Sequence, residues 1–104
     1  MERVGRREYY AVLINNGTSV MDGTWIKVLG LQEMSIHTQI EGTCIAQIRG
    51  SCEKNYPNND GAQIGSNIAS SDIYELYAPI MWIKGKVIAG GGTVNMYLVG
   101  REQL

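Results

Sequence analysis

The chain has no phenylalanine, two prolines, two cysteines and one histidine among its 104 residues. Each shortage removes a class of explanation. His37 is alone in an alternating segment and has no sequence neighbour for a triad or a metal site, so it reads as a surface residue. The cysteines, Cys44 and Cys52, lack the C-x₂-C spacing of zinc sites. On one extended strand they would sit about 26 Å apart at ~3.3 Å per residue, whereas a disulfide needs Cα atoms within roughly 7 Å. A bridge would require the chain to turn near Gly50. The pair is expected to be reduced, small and buried, which fits synthesis in a reducing compartment.

Charge of one sign is also lacking. Nine basic residues face ten acidic ones, for a formal net charge of −1. No strong field exists to draw in nucleic acid or a membrane surface. No window approaches the ~18 apolar residues of a membrane helix. The early run "YYAVLI" is too short for a secretory signal with a cleavage site. Asn16-Gly17-Thr18 matches a glycosylation sequon but reads as a turn. No G-x-S-x-G motif occurs. "NNDG", Asn58 to Gly61, lacks the ligand series of a calcium loop. Glu33, Glu41, Glu53, Asp60 and Glu75 are scattered over different segments, with no sign of a paired acid and base. The expectation is a chain that is not an enzyme and carries no cofactor or metal.

Glycine is abundant, with thirteen residues. Three in a row, Gly90-Gly91-Gly92, raise the question of a phosphate cradle, but that use needs a helix next in the chain, whose N-terminus holds the phosphate. The next residues are instead "TVNMYLV", alternating and β-branched. The glycines therefore predict a hairpin loop that needs positive φ.

The dominant period is two. In "MSIHTQIEG", Met34, Ile36, Thr38 and Ile40 alternate with Ser35, His37, Gln39 and Glu41, which is a half-buried strand. "TCIAQIRG" continues it, and Glu41-Gly42 suggests that the two form a hairpin. "EYYAVLI" is unbroken and suits a strand covered on both faces. "TWIKVLG" comes after the turn signal Asp22-Gly23. "IYELYA" ends at Pro79, as an edge strand can. In "IMWIKGKVIA", Met81, Ile83, Gly85, Val87 and Ala89 share one face, while Trp82, Lys84 and Lys86 share the other. In "TVNMYLV", Val94, Met96 and Leu98 oppose Thr93, Asn95 and Tyr97. "EKNYPNNDGAQIGSN" is the longest loop, and Ser70, Ser71 or Asp72 could cap a short turn. No helix is expected. Seven or eight short strands predict an all-β antiparallel sandwich, jelly-roll-like. It would comprise an N-terminal arm at 1–7, one domain at 8–100 and a C-terminal tail at 101–104.

The segment from Arg49 to Gly100, about half the chain, resembles small β-sandwich structural proteins of tailed bacteriophages. The shared elements are Gly50-Ser51, Asn59-Asp60-Gly61, Tyr74 to Pro79, Trp82-Ile83-Lys84, Gly90 to Thr93 and Tyr97-Leu98. The insertion "CEKNYP" departs from the compact form of the loop. The resemblance implies a virion component: a head decoration (cement) protein, or a tail or fibre module that could bind sugar through Trp82 and the tyrosines. For the decoration protein, the expected partner is the major capsid protein. A homodimer or homotrimer on the capsid surface is expected, made in the host cytoplasm. The contact candidates are Arg3, Arg6 and Arg7 of the arm, Tyr9 and Tyr10 of the apolar strand, and a surface shared by Trp82 and Tyr97.

Overall fold

The computed structural model describes residues 1–102. They form β1 (Glu2–Gly5), β2 (Glu8–Gly17), β3 (Met21–Asp22), β4 (Ile26–Lys27) and β5 (Leu31–Gly42). The second half adds β6 (Ile45–Ser51), β7 (Ala62–Ile68), β8 (Asp72–Leu76), β9 (Trp82–Ala89) and β10 (Gly92–Glu102). The strands make two antiparallel sheets. Sheet I runs β1-β2-β10-β5-β8, and sheet II runs β3-β9-β6-β7, with β4 also on β9. The all-β antiparallel sandwich expected from the alternation is what forms, with ten strands among the described residues rather than seven or eight.

The core lies between the sheets. Ile36, Met96 and Leu98 of sheet I meet Ile48, Ile83 and Val87 of sheet II, all fully buried. Each such side chain contributes on the order of 1.5–3 kcal/mol by leaving water. The alternation read from β5 holds: Met34, Ile36 and Thr38 are buried, while Ser35, His37 and Gln39 are exposed.

Two expected hairpins do not form. β5 belongs to sheet I and β6 to sheet II, so Glu41-Gly42 ends one strand and the chain crosses between layers. The glycines at 90–92 likewise carry β9 of sheet II into β10 of sheet I. The two crossings meet. Gly91, at φ +136, accepts a hydrogen bond from Thr43 N at 3.1 Å. Only glycine takes that backbone conformation without strain. Local turn chemistry specifies that the chain bends, but packing of two apolar faces decides which sheet it enters.

Four further expectations change. Residues 2–5 of the supposed arm pair with β2, Glu2 opposite Tyr10 and Arg3 opposite Tyr9. β10 runs through Glu102, so the first half of the 101–104 tail is strand, and residues 103 and 104 lie outside the described residues. "TWIKVLG" yields only the short β4, with β3 just ahead of it; between the two, Gly23 N–H donates to Gly85 O at 2.8 Å. The unbroken run in β2 is not covered on both faces either: Val12 is 43% exposed. The adjacent Leu13 and Ile14 are both buried because the register slips there. Tyr97 pairs with Val12 and Met96 with Ile14, leaving Leu13 as an extra residue in a β-bulge.

Candidate docking faces

The outer face of sheet I is built by residues of one parity on five strands. One cross-strand row places Val12, Tyr97, His37 and Ile73 side by side on β2, β10, β5 and β8. The next row places Glu2, Tyr10, Val99, Ser35 and Glu75 together. Tyr10 and Tyr97 stack across the rows, with ring centroids 6.4 Å apart at 17°. His37 leans on the Tyr97 ring at 5.8 Å. Ile73 at 58% and Val99 at 45% exposure leave much of their side chains in water, as Val12 does. At one end of the face Arg101 reaches Glu8 and Glu33, both at 3.7 Å. An apolar centre with a charged border is the usual anatomy of a protein–protein contact.

The outer face of sheet II is closed in a different way. Lys84 points outward from β9 yet is 5% exposed. Its ammonium lies 4.9 Å above the Trp25 ring and pairs with Asp60 at 2.9 Å and Asp22 at 3.4 Å. Lys86 pairs with the same two carboxylates, at 2.6 and 3.4 Å. Two carboxylates and an aromatic face compensate the desolvation of the lysine. The hydrogen bonds from Lys86 and then Lys84 hold the Asp60 carboxyl down to about 2, and the bond to Asp60 raises Lys86.

These pairs strap the loop at 52–61 onto the sheet. Trp25 Nε1 donates to Asn59 O at 3.3 Å, and Trp82 Nε1 donates to Glu53 O at 2.9 Å. Arg49 donates to Asp60 O and Gly61 O, at 3.0 and 3.3 Å. Within the loop, Asn59 Oδ1 accepts from Gly61 N at 2.8 Å, the local turn that asparagine favours. On the same outer face, toward β7, Gln47, Gln63 and Asn67 join in a ladder of side-chain amides.

The seven contact candidates from the sequence divide among these surfaces. Tyr10 and Tyr97 come together on sheet I. Trp82 does not join Tyr97: it lies on the outer side of the other sheet, edge-on to Tyr56 at 5.4 Å and beneath Lys27 at 5.9 Å. Tyr9 has the opposite parity from Tyr10 and packs against the core. Its phenol is raised chiefly by a hydrogen bond with Glu102. Arg3 folds back to Gly5 O at 3.1 Å. Arg6 and Arg7 form the β1–β2 turn, with Arg7 at φ +63, and line a shallow hollow beside Arg101 and Glu102. Val12, Val99 and Ile73 are exposed apolar residues of the sheet I face that sequence reasoning misses. Their signal is present, since Val12 shares parity with Tyr10 and Val99 with Tyr97, but it is readable only once the strand neighbours are known.

Both cysteines are free; Cys44 is buried and Cys52 exposed, so only the first meets the expectation of burial. Among the described residues no group of three His, Cys, Asp or Glu side chains is placed to hold a metal ion. No helix among them is long and apolar enough to cross a membrane.

The fold places the chain among antiparallel β-sandwiches. No protein-family model and no curated protein sequence matches it. Its fold is similar to that of a solved structure, the SPBc2 prophage-derived protein YomS. The TM-score is 0.72 at 13% identity, over 89% of this chain and 91% of that one.

Proposed function

We propose that the chain is a structural protein of a tailed bacteriophage, and specifically a capsid decoration protein that docks on the major capsid protein lattice through the outer face of sheet I. The observation that carries this reading is the cross-strand row Val12–Tyr97–His37–Ile73, which sets exposed apolar and aromatic side chains side by side across four paired strands. Two others support it. The similar solved structure is of a prophage-derived protein. From β2 onward the chain changes sheet at most connections, which favours a jelly-roll wrapping, a form common in capsid and lectin domains.

The mechanism is linkage. A chain that binds the assembled lattice and not its separated subunits stabilises assembly. Covering Val12, Val99 and Ile73 contributes on the order of 1 kcal/mol each from half exposure. Dimers or trimers at local symmetry axes multiply such contacts. The chain works without cofactor, nucleic acid or membrane, at the capsid surface after synthesis in the host cytoplasm. Titration onto expanded empty capsids is the test. Saturable binding at a fixed ratio to capsid subunits, with a raised particle melting temperature, is expected. Absence of binding to heads alongside stoichiometric recovery in purified tails would overturn the head assignment.

A second reading has an observation of its own. Trp82 and the exposed Tyr56 form an aromatic corner beside Lys27, a surface able to stack on a sugar in a tail or fibre module. Saturable quenching of Trp82 fluorescence by an oligosaccharide would favour it.

A further inference from the structure

Among the described residues the two sheets end in four edges, and three of them are interrupted. β1 has four residues and breaks register with β2 between Arg3 and Gly5, where Arg3 Nε donates to Gly5 O at 3.1 Å. β3 and β4 divide the edge along β9 into two pieces of two residues each. β7 jumps register against β6 between Ile64 and Ile68, around Gly65 at φ +73. Short and bulged edges are how sheets avoid pairing with other chains. β8 is different: its five residues, Asp72 to Leu76, lie in unbroken register on Thr38 to Met34 of β5. Its neighbour fixes its backbone direction. Ile40 N donates to Ser71 Oγ at 3.0 Å, and Ser71 Oγ donates to Ile40 O at 3.4 Å, so Ile40 turns its peptide groups toward the β8 side. That direction alternates along a strand. Thr38 and Ile36 therefore bond their partners Asp72 and Tyr74. Ile73 and Glu75, both exposed, point their N–H and C=O groups out from the edge. Asp72 Oδ1 accepts from Ile73 N at 2.8 Å, which agrees with that direction.

We propose that β8 is a self-pairing edge: two copies of the chain join antiparallel through β8, about a two-fold axis at Tyr74, so that sheet I of one runs into sheet I of the other. The reading is independent of where the chain sits in a virion. β1, β3, β4 and β7 offer no unbroken strand, so a second copy meets β8 with β8. Only registers that set outward groups against outward groups can form hydrogen bonds. An axis at Glu75 would place the two Glu75 carboxylates directly opposite, which is destabilising. An axis at Ile73 would push Leu76 past the end of the second copy's β8. The axis at Tyr74 overlaps the whole strand. There the N–H and C=O of Ile73 meet the C=O and N–H of the second copy's Glu75, and Asp72 releases the Ile73 N–H. No two carboxylates face each other. The row Val12–Tyr97–His37–Ile73 then continues into Glu75, Ser35, Val99 and Tyr10 of the second copy, which makes one outer face of two.

One edge pair is small against the ~1,200–2,000 Å² of a stable interface, so the dimer is expected to be weak and concentration-dependent. The test is sedimentation of the chain from micromolar to millimolar concentration, with exchange of the Glu75 amide read by NMR. The mass should rise from one chain to two and stop there, and the Glu75 amide should exchange more slowly as it does. Ile73→Lys sets opposite charges across the axis on both sides and should tighten the dimer about fivefold, whereas Ile73→Glu sets like charges and should weaken it about fivefold. Glu75→Pro removes an outward N–H, which an edge strand tolerates, and should give a folded monomer. If that variant unfolds, the two Ile73 variants decide. A chain that stays monomeric at millimolar concentration would overturn the proposal. So would assembly beyond two chains, or equal dimer affinity in Ile73→Lys and Ile73→Glu.

Discussion

The two outer faces of this sandwich start from the same β-pleat and end in opposite states. On sheet II, side chains that point outward are recaptured. Lys84 is buried under Trp25 and two aspartates, Trp82 is tied to Glu53 O, and the loop at 52–61 is strapped across. On sheet I, Val12, Val99 and Ile73 remain 43%, 45% and 58% exposed, and Tyr97 is half-buried against Tyr10 and His37. One face commits its polar groups to internal closure; the other leaves Val12, Val99 and Ile73 partly in water, as the proposed docking requires. A molecule with both faces closed would have nothing to dock with, and one with both faces open would lose part of its fold energy and invite aggregation.

The largest effect that sharpens this contrast is expected at Trp25. Trp25→Ala removes a side chain that is 6% exposed, along with the aromatic cover of Lys84 and the bond to Asn59 O. A loss of about 3–5 kcal/mol is expected in urea unfolding. A loss under about 1 kcal/mol, the scale of an ordinary surface change, would mean that sheet II is no more closed than sheet I.

Charges placed on the other face should act the opposite way. Val12→Lys combined with Ile73→Lys should change stability by no more than about 0.5 kcal/mol per site, as surface substitutions do. The same pair should weaken binding to particles by tenfold or more, read by co-sedimentation. If the double variant unfolds instead, the face is part of the core and not a docking surface.

Acid should release the strap of sheet II before the core yields. Asp60 has its folded value lowered from 3.8 to about 2 by Lys86 and Lys84. A depressed carboxylate contributes stability that is fully present above 3.8 and is lost as pH falls toward 2. Asp60→Asn should therefore be less stable than the parent at about pH 6, and the gap should close by about pH 2. A gap of constant size across that range would show that the ion pairs do not hold the loop. Lys86 adds the mirror effect in base: its raised value means a contribution present below 10.5 that is lost as pH climbs through the folded value.

The smallest effect belongs to Cys52. It is exposed while Cys44 is buried, so a thiol reagent should modify one site in the native chain and two after unfolding. Cys52→Ser should leave stability within about 0.5 kcal/mol. Two fast native sites would mean that the crossing from β5 to β6, where Cys44 sits, is packed more loosely than this fold requires.

The sequence makes the layers legible and leaves their arrangement obscure. In β5 the alternation from Met34 to Gln39 names the inner and outer residues correctly, because a pleated strand half in water has period two. The same rule puts Trp82 with Lys84 and Lys86, and Tyr97 opposite Met96, which also holds. What parity cannot carry is the identity of the sheet. Glu41-Gly42 and Gly90 to Gly92 are turn signals with no information about whether the chain returns beside itself or crosses to the facing layer. For that reason the single surface expected for Trp82 and Tyr97 turns out to be two. β1 is invisible in the sequence because "ERVG" has little apolar pattern; it forms because the turn at Arg6 and Arg7 brings it onto β2. Parity alone leaves Lys84 in water, because its cover, Trp25, is remote in sequence and reaches it only through the pairing of β4 with β9.

Hydroxyl-radical footprinting of the chain, free and bound to expanded capsids, tests the division of faces most directly. Tyr10, Tyr97 and His37 report on sheet I, and Tyr56 and Trp82 on sheet II. Protection of the first three on binding, with the second pair still oxidised at their free rates, is the predicted pattern. Protection of Trp82 and Tyr56 with Tyr97 unchanged would contradict it.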